Sequence, residues 1–426
     1  MPRGSMRPVK LGLALLFAGG ICFVWGFFAH RDHWFPHGIL QGLAQEFADR
    51  DAPRDPFPKQ LVESRSPAFD DLAALGYVDA SFDPDSDQRG VVLSETDRFF
   101  PGFNLYSSRT ARSAQLIDMQ GGIVHSWASD TTDTWQSVSL LEDGRLFVLE
   151  KDQALLALDR DSRPLWRFEA RVHHDLDVFD EGIHVLSRRE EMRPEFHPTR
   201  PIVVDMLSIL SLDGTLREEI SLLDVFQRSP HAYLLPSLIP AHDAGDRKAL
   251  DLLHTNHVEV LDGTLAHRSE VFARGNLLLC ARNLNAVFIL DAAAERILWL
   301  WGPGNLTFPH HPQLLANGNL LLFDNGLEAS RILELEPLER CITWSYEAEG
   351  FFSVTRGSVQ RLPNGNTLIT ESDAGYAFEV DPQGETVWEF ANPDVDAFGH
   401  RSAMWRVTRY APGELLFVDA NASPPR

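Results

Sequence analysis

From about residue 95 onward, the apolar positions repeat a two-part phrase. The first part is a hydrophobic run opened by a glycine turn: EDGRLFVL (142–149), DEGIHVLS (180–187), ARGNLLLC (273–280), ANGNLLLF (316–323), PNGNTLIT (363–370) and APGELLFV (411–418). The second is a pair of alternating runs about another turn, usually closed by an aromatic residue: QLIDMQGGIVHSW (115–127), LLALDRDSRPLWRF (155–168), ILSLDGTLREEI (209–220), FILDAAAERILWLW (288–301), ILELEPLERCITW (332–344) and AFEVDPQGETVWEF (377–390). Alternation with period two marks half-buried strands, and Asp-Gly, Asn-Gly and Gln-Gly supply the positive φ of tight hairpins.

The glycines of the first phrase stand at 144, 182, 275, 318, 365 and 413, with gaps of 38, 93, 43, 47 and 48. Four short strands every ~45 residues predict a β-propeller, whose blades bury their faces only against one another. Six copies of each phrase predict an all-β, six-bladed propeller over 95–426. The chain enters on the second phrase and leaves on the first, at 411–418, so one blade is expected to combine both termini and leave no open edge. A β-sandwich would not explain the repeat. The long gap holds REEMRPEFHPTRP (189–201) and SPHAYLLPSLIPAHDAGDRKALD (229–251), insertions of the kind that carry function on one propeller face.

The N-terminal pattern is different. Leu11 to Ala29 is uncharged over 19 residues, follows Arg3, Arg7 and Lys10, and would span roughly 28 Å as a helix. This predicts a single-pass membrane anchor (1–32) in the cell inner membrane, with the rest of the chain extracytoplasmic, or periplasmic. A cleaved signal peptide competes, but Phe27-Phe28-Ala29 is a poor cleavage site. Residues 33–94 read as a juxtamembrane connector, with Ile39, Leu40, Leu43 and Phe47 on one face of a short helix before the proline-rich DAPRDPFP.

Charge narrows the function. The 426 residues carry 38 basic and 61 acidic side chains, a net −23, which repels phosphate backbones and argues against nucleic acid as a partner. Cys22, Cys280 and Cys341 are too few for a disulfide framework and leave a Cys280–Cys341 pair open. No GxxxxGK[ST] loop is present to cradle a nucleotide, and no HExxH or CxxC spacing points to a metal.

The candidate chemistry is histidine. His173 and His174 precede DEGIHVL, His254 and His257 lie in DLLHTNHVEV, and His310 and His311 lie in FPHHPQLLANGNLLLF. His174 and His310 each stand eight residues before their phrase glycine, so equivalent positions in different blades are expected to face one axial funnel, just ahead of the innermost strands. Arg282 follows the strand of the His254 blade. Imidazoles beside an arginine suit transfer of an anionic group, the guanidinium holding oxygens while neutral imidazole serves as nucleophile or acid–base. The acidic groups in HHD (173–175) and FDN (323–325) either fix histidine tautomers or close turns.

Together, LGYVD (75–79), GVVLSETDRFFPGFNLYSS (90–108), LIDMQGGIVHSW (116–127), HHD, HTN, AR and HPQLLANGNLLLFDNG resemble the bacterial arylsulfate sulfotransferase family over about residues 70–420. The resemblance implies a six-bladed propeller that moves a sulfuryl group from a phenolic sulfate ester to a phenol. It implies a PAPS-independent reaction through a sulfohistidine, with no cofactor. It implies His310 as nucleophile and His254, with Asp251 and Asn256 in register, as its DxxHxN histidine. Arg282 and His174 complete the catalytic set; His174 is expected to act as the acid and later the base, with Arg282 and His254 stabilising the sulfuryl oxygens. His311, His257 and His173 are alternates, and Asn256 and Asn283 are expected to bind substrate. This chain has Pro309 where the family usually has glutamine, His257 in place of a serine, and Asn283 in place of a histidine; His311 adds a second imidazole after the nucleophile. Two other readings remain: a non-catalytic propeller that binds an anionic glycan, peptide or protein partner, and a quinoprotein-like oxidoreductase suggested by the aromatic-ended hairpins.

Overall fold

The computed structural model describes residues 88–129, 135–180, 182–235, 249–396 and 399–419. The expected anchor and the connector helix lie outside them. Among the described residues no helix is long and apolar enough to cross a membrane.

After β1 (Gly90–Ser94), the chain builds six antiparallel sheets around one axis. Blade 1 begins with β2 (Phe103–Ser108), β3 (Ser113–Ile117) and β4 (Ile123–Ala128). Blade 2 is β5 (Trp135–Leu140), β6 (Leu146–Glu150), β7 (Ala154–Leu158) and β8 (Pro164–Glu169). Blade 3 is β9 (Val172–Phe179), β10 (Gly182–Met192), β11 (Pro201–Ser211) and β12 (Leu216–Ser221); helix α1 (Leu222–Arg228) follows, and the short β13 (Leu250–Asp251) pairs with β11. Blade 4 is β14 (Thr255–Val260), β15 (Leu277–Ala281), β16 (Ala286–Asp291) and β17 (Arg296–Trp301). Blade 5 is β18 (His310–Leu314), β19 (Leu320–Asp324), β20 (Arg331–Glu336) and β21 (Cys341–Tyr346). Blade 6 is β22 (Ser358–Arg361), β23 (Thr367–Glu371), β24 (Tyr376–Val380) and β25 (Thr386–Ala391), with β1 added at its outer edge. Thus β1, inside the segment read as connector, already belongs to the propeller. Finally β26 (Met404–Tyr410) returns to blade 1 as its innermost strand, beside β2.

Two expectations are corrected here. The phrase at 411–418 is not the closing strand: it forms a turn and helix α2 (Leu416–Asp419). Phe103–Ser108, opened by Pro101-Gly102, takes the edge of β26 that this phrase would otherwise occupy. Leu415 and Phe417 are instead buried between blades 1 and 2. In addition, each of the other five glycine turns opens the second strand of its blade, so the histidines lie on or at the head of the innermost strands β9, β14 and β18. Cys280 and Cys341 are both free thiols, the first buried and the second exposed.

Period-two alternation explains the packing. In β15, Leu277, Leu279 and Ala281 face blade 3, whereas Leu278 and Cys280 face blade 5. Every blade is apolar on both faces in this way, and the six core clusters fill the six junctions of the ring. The aromatic ends of the hairpins have the same purpose. Trp127, Trp166, Trp299 and Trp388 each donate their indole N–H to a backbone carbonyl of the next blade, at 2.9–3.1 Å. The inner strands are latched as well: Asp177 accepts from the N–H of Val260, Glu259 from Leu314, Gln313 from Arg361 and Gln360 from Arg409. Each latch satisfies a backbone donor that its own sheet leaves unpaired.

Candidate active site

The innermost strands converge on a small, half-open cavity. All six blades line it: Ser137 from blade 2, His174 from blade 3, Asn256 from blade 4, His310 and His311 from blade 5, Arg356 and Gly357 ahead of blade 6, and Trp405 and Arg406 from blade 1. Five of the six inner strands break register with their neighbour at this level, near Gln136–Ser137, His173–Asp175, Asn256, His311–Pro312 and Trp405–Arg406. Such bulges turn side chains away from strict alternation and re-aim them. His174, His254, Phe308, His311 and Arg356 all have φ between +46° and +62°. Non-glycine residues hold that conformation at a cost of order 1 kcal/mol each, and here the cost concentrates at the funnel.

Hydrogen bonds fix the tautomer of each central imidazole. Asn325 donates its amide N–H groups to the carbonyls of Ser353 (2.7 Å) and Arg356 (2.8 Å). Its oxygen must therefore face His310, whose Nδ1 lies 2.7 Å from it and 2.9 Å from the Phe308 carbonyl. Both partners accept, so Nδ1 carries the proton and Nε2 is a bare lone pair. Burial, then Arg282, pushes the His310 pKa down to about 3, so the ring is neutral. His173 is also pushed down to about 3, by burial and then Arg188, and its Nε2 donates to the Ser187 carbonyl at 3.2 Å. Its Nδ1 must then accept from His174 Nδ1 at 2.7 Å, which leaves His174 Nε2 bare as well. Burial, then His254, holds His174 well below the usual imidazole range.

His254 packs edge-on against His174, ring centroids 4.7 Å apart. Its Nδ1 is 2.6 Å from Asp251 Oδ2, and its backbone N–H donates to Asp251 Oδ1. The insertion after blade 3 thus delivers a carboxylate to this ring through β13. Arg282 stacks 4.1 Å from the Phe308 ring and donates to Asn283 Oδ1, and no described carboxylate pairs with it. Burial pushes its pKa down to about 10, so it stays cationic at neutral pH. The four expected catalytic residues therefore come together around His310.

Of the alternates, His173 belongs with His174, and the other two form a second group: His257 and His311 meet edge-on at 4.9 Å, and His257 Nδ1 lies 2.7 Å from Asp175 Oδ2. Arg406 donates to the other Asp175 oxygen at 2.9 Å. Burial pushes the Asp175 carboxyl up, but Arg406 and then His257 outweigh it and hold it well below its ordinary value. So Asp175 serves His257, not the adjacent His174, and Asn325, not Asp324, orients His310. Asn256 donates to the Pro309 carbonyl, and its buried oxygen has no hydrogen-bond partner among the described residues. Asn283 is turned towards Arg282 and the Asp251 carbonyl, outside the cavity lining. Among the described residues no group of three His, Cys, Asp or Glu side chains is arranged to hold a metal ion.

Sequence reasoning missed Arg356, Trp405 and Arg406. A signal existed: Gly357 and Trp405 also stand eight residues before phrase glycines, those at 365 and 413. The spacing that selected His174 and His310 applies to them unchanged.

Among solved structures, a protein of unknown function from Bacteroides caccae is 13% identical, covering 72% of this chain and 98% of its own, at a TM-score of 0.45. A streptogramin B lyase is 12% identical over 77% of this chain and 95% of its own, at 0.42. A catalytically inactive virginiamycin B lyase from Staphylococcus aureus, with quinupristin, is 12% identical over 63% and 74%, at 0.38. Likeness this distant carries no argument about chemistry. No curated protein matches the chain. One family model does, over residues 138–393, a span that contains His174, His254, Arg282 and His310, and the chain belongs to the arylsulfotransferase (ASST) family.

Proposed function

We propose that the protein is a PAPS-independent sulfotransferase, anchored by residues 11–29 with its propeller outside the cytoplasm, that carries a sulfuryl group from an aryl sulfate to a phenol on His310. The observation that carries this reading is the bare, neutral Nε2 of His310 beside a half-buried arginine that no described carboxylate neutralises. In the first half-reaction the Nε2 lone pair attacks sulfur and the S–O bond to the ring breaks. Arg282 balances the negative sulfuryl oxygens, which are best stabilised by fixed charge in a partly dry site. The departing phenolate takes a proton from His254. Asp251 balances the charge on that ring while it holds the proton, which favours His254 over the neutral, buried His174 as acid. A positioned acid of this kind contributes about 10²–10⁴-fold in rate.

The sulfohistidine keeps its Nδ1 proton, shared with Asn325 and Phe308, so the sulfonated ring is cationic, leaves as neutral imidazole, and its N–S bond stays labile. In the second half the acceptor phenol returns a proton to His254, its oxygen attacks sulfur, and the N–S bond breaks. The kinetics are ping-pong. His174 packs His254 into place and presents a second bare nitrogen to the incoming hydroxyl.

The test uses the purified full chain in detergent, a chromogenic aryl sulfate and a phenol acceptor. Intact-mass analysis is expected to show an acid-labile adduct of about 80 Da that survives in His311→Ala and vanishes in His310→Ala. Absence of turnover and adduct across a broad panel, with tight binding of an intact anionic ligand, would make this a binding propeller instead. Protease added to spheroplasts is expected to digest the propeller; full protection would refute the topology.

A further inference from the structure

Arg282 and His254 act electrostatically on His310 but do not line the cavity, whereas Arg356, Arg406 and His311 do. Those three lining residues have no part in the transfer chemistry above. Arg356 donates through one nitrogen to Asp373 and lies flat over Trp405, 4.4 Å from the ring centroid. Asp373 is held in turn by the Thr355 N–H and hydroxyl. Arg406 donates through one nitrogen to Asp175, and Asp175 is also engaged by His257. Each guanidinium is thus pinned by a carboxylate that has other commitments. The remaining nitrogens of both make no hydrogen bond among the described residues, and both residues line the cavity.

The surroundings add further donors. Val359 N–H points at His311 Nδ1, at 3.5 Å, which leaves Nε2 as the N–H of this neutral ring. Lys151 is exposed and makes no hydrogen bond or ion pair among the described residues. Partial desolvation of its stem lowers its pKa, Asp152 opposes that, and the charges of Arg188, Arg356 and Arg109 lower it further, so it lies within electrostatic reach of Arg356. Such a concentration of unused donors in a chain of net charge −23 repels cations and favours an oxyanion, for which a pre-pinned guanidinium fork is the matching partner. The site is also tied to the reacting atom: the Arg356 carbonyl is one of the two acceptors that lock Asn325 against His310.

We propose that Arg356 and Arg406, with Lys151 at their flank, form a second oxyanion subsite that selects aromatic substrates bearing a carboxylate or another acidic ring substituent in addition to the group bound near Arg282. The subsite rests on the sulfuryl-transfer reading only for which end of the ligand reacts.

Non-transferable probes separate the two. Benzenesulfonate and 4-sulfobenzoate have a C–S bond that histidine cannot break, and their affinities for the full chain are measured by calorimetry. The expected result is 4-sulfobenzoate binding about tenfold more tightly at low salt. That preference collapses in Arg356→Gln and Arg406→Gln and shrinks in Lys151→Gln, with benzenesulfonate affinity little changed. Lys151→Gln alters an exposed side chain and keeps the test valid if an arginine variant fails to fold. Equal affinities in the unaltered protein, or a preference that survives in all three variants, would overturn the subsite and leave the arginines as ties between loops. Turnover of 4-carboxyphenyl sulfate and its methyl ester completes the test. Preferential binding with no turnover of either refutes sulfuryl transfer alone, whereas turnover of both at equal kcat/KM refutes the subsite alone.

Discussion

Asn325 holds His310 in the tautomer that a nucleophile needs, because its amide nitrogen is committed to two carbonyls and its oxygen, 2.7 Å from Nδ1, has only the imidazole to meet. Asn325→Leu removes that acceptor and strands the Ser353 and Arg356 carbonyls. Transfer is expected to fall about 10²-fold, with a stability loss of about 1–3 kcal/mol. Asn325→Asp keeps the acceptor and is expected to retain more activity than the leucine variant. Single-turnover phenol release and the ¹⁵N shifts of the His310 ring check both.

The acid side of the pH profile does not belong to His310. With a pKa pushed down to about 3, its ring stays neutral far below its ordinary 6.5, so adduct formation in a single turnover is not expected to slow as pH falls from 8 to about 5. Stability behaves differently. An unfolded histidine takes up a proton near pH 6.5, but buried His173 and His310 do so only near 3. Their contribution is therefore whole above 6.5 and is lost as pH falls towards 3, at about 1.4 kcal/mol per pH unit for each ring. His310→Asn is expected to lessen the slope of denaturation free energy against pH over that interval.

Glu259 predicts the opposite trend. Burial pushes its pKa up to about 8, with Asp177 and Asp175 adding to the effect against the Leu314 N–H bond. Between about 4.5 and 8 the native state holds a proton that the unfolded chain has released, so this group costs stability as pH rises. Glu259→Gln keeps an acceptor for Leu314 and removes the ionisation. Its Tm is expected to exceed that of the unaltered protein by a few degrees at pH 8 and to converge with it near pH 5. A difference that does not vary with pH would contradict the assignment.

The ring closure can be tested by truncation. Ending the chain after Tyr410 leaves β26 paired with β2 and removes only the cap formed by Leu415 and Phe417. That variant is expected to fold with a lower Tm, and Phe417→Ala alone to cost about 3 kcal/mol. Ending the chain after Ala403 removes the inner strand of blade 1 and exposes the edge of β2. It is expected to give no cooperative unfolding transition by circular dichroism.

The period of the glycine phrases determined the propeller and its six blades, because each phrase encodes local events: a hairpin turn needing positive φ and a strand apolar on both faces. The spacing of His174 and His310 likewise placed both in one cavity, since equal register in equivalent blades means equal height on the axis. Local pattern could not decide between Phe103–Ser108 and Glu414–Val418 as the partner of β26. Both are competent strands, and only the geometry of the closed ring shows which one reaches that edge. Nor could it show that no described carboxylate pairs with Arg282, that Asp175 crosses to His257, or that Asn325 sets the proton on His310. Those pairings join residues from 15 to more than 200 positions apart, and a hydrogen bond depends on direction and distance in space, neither of which is written into the order of residues.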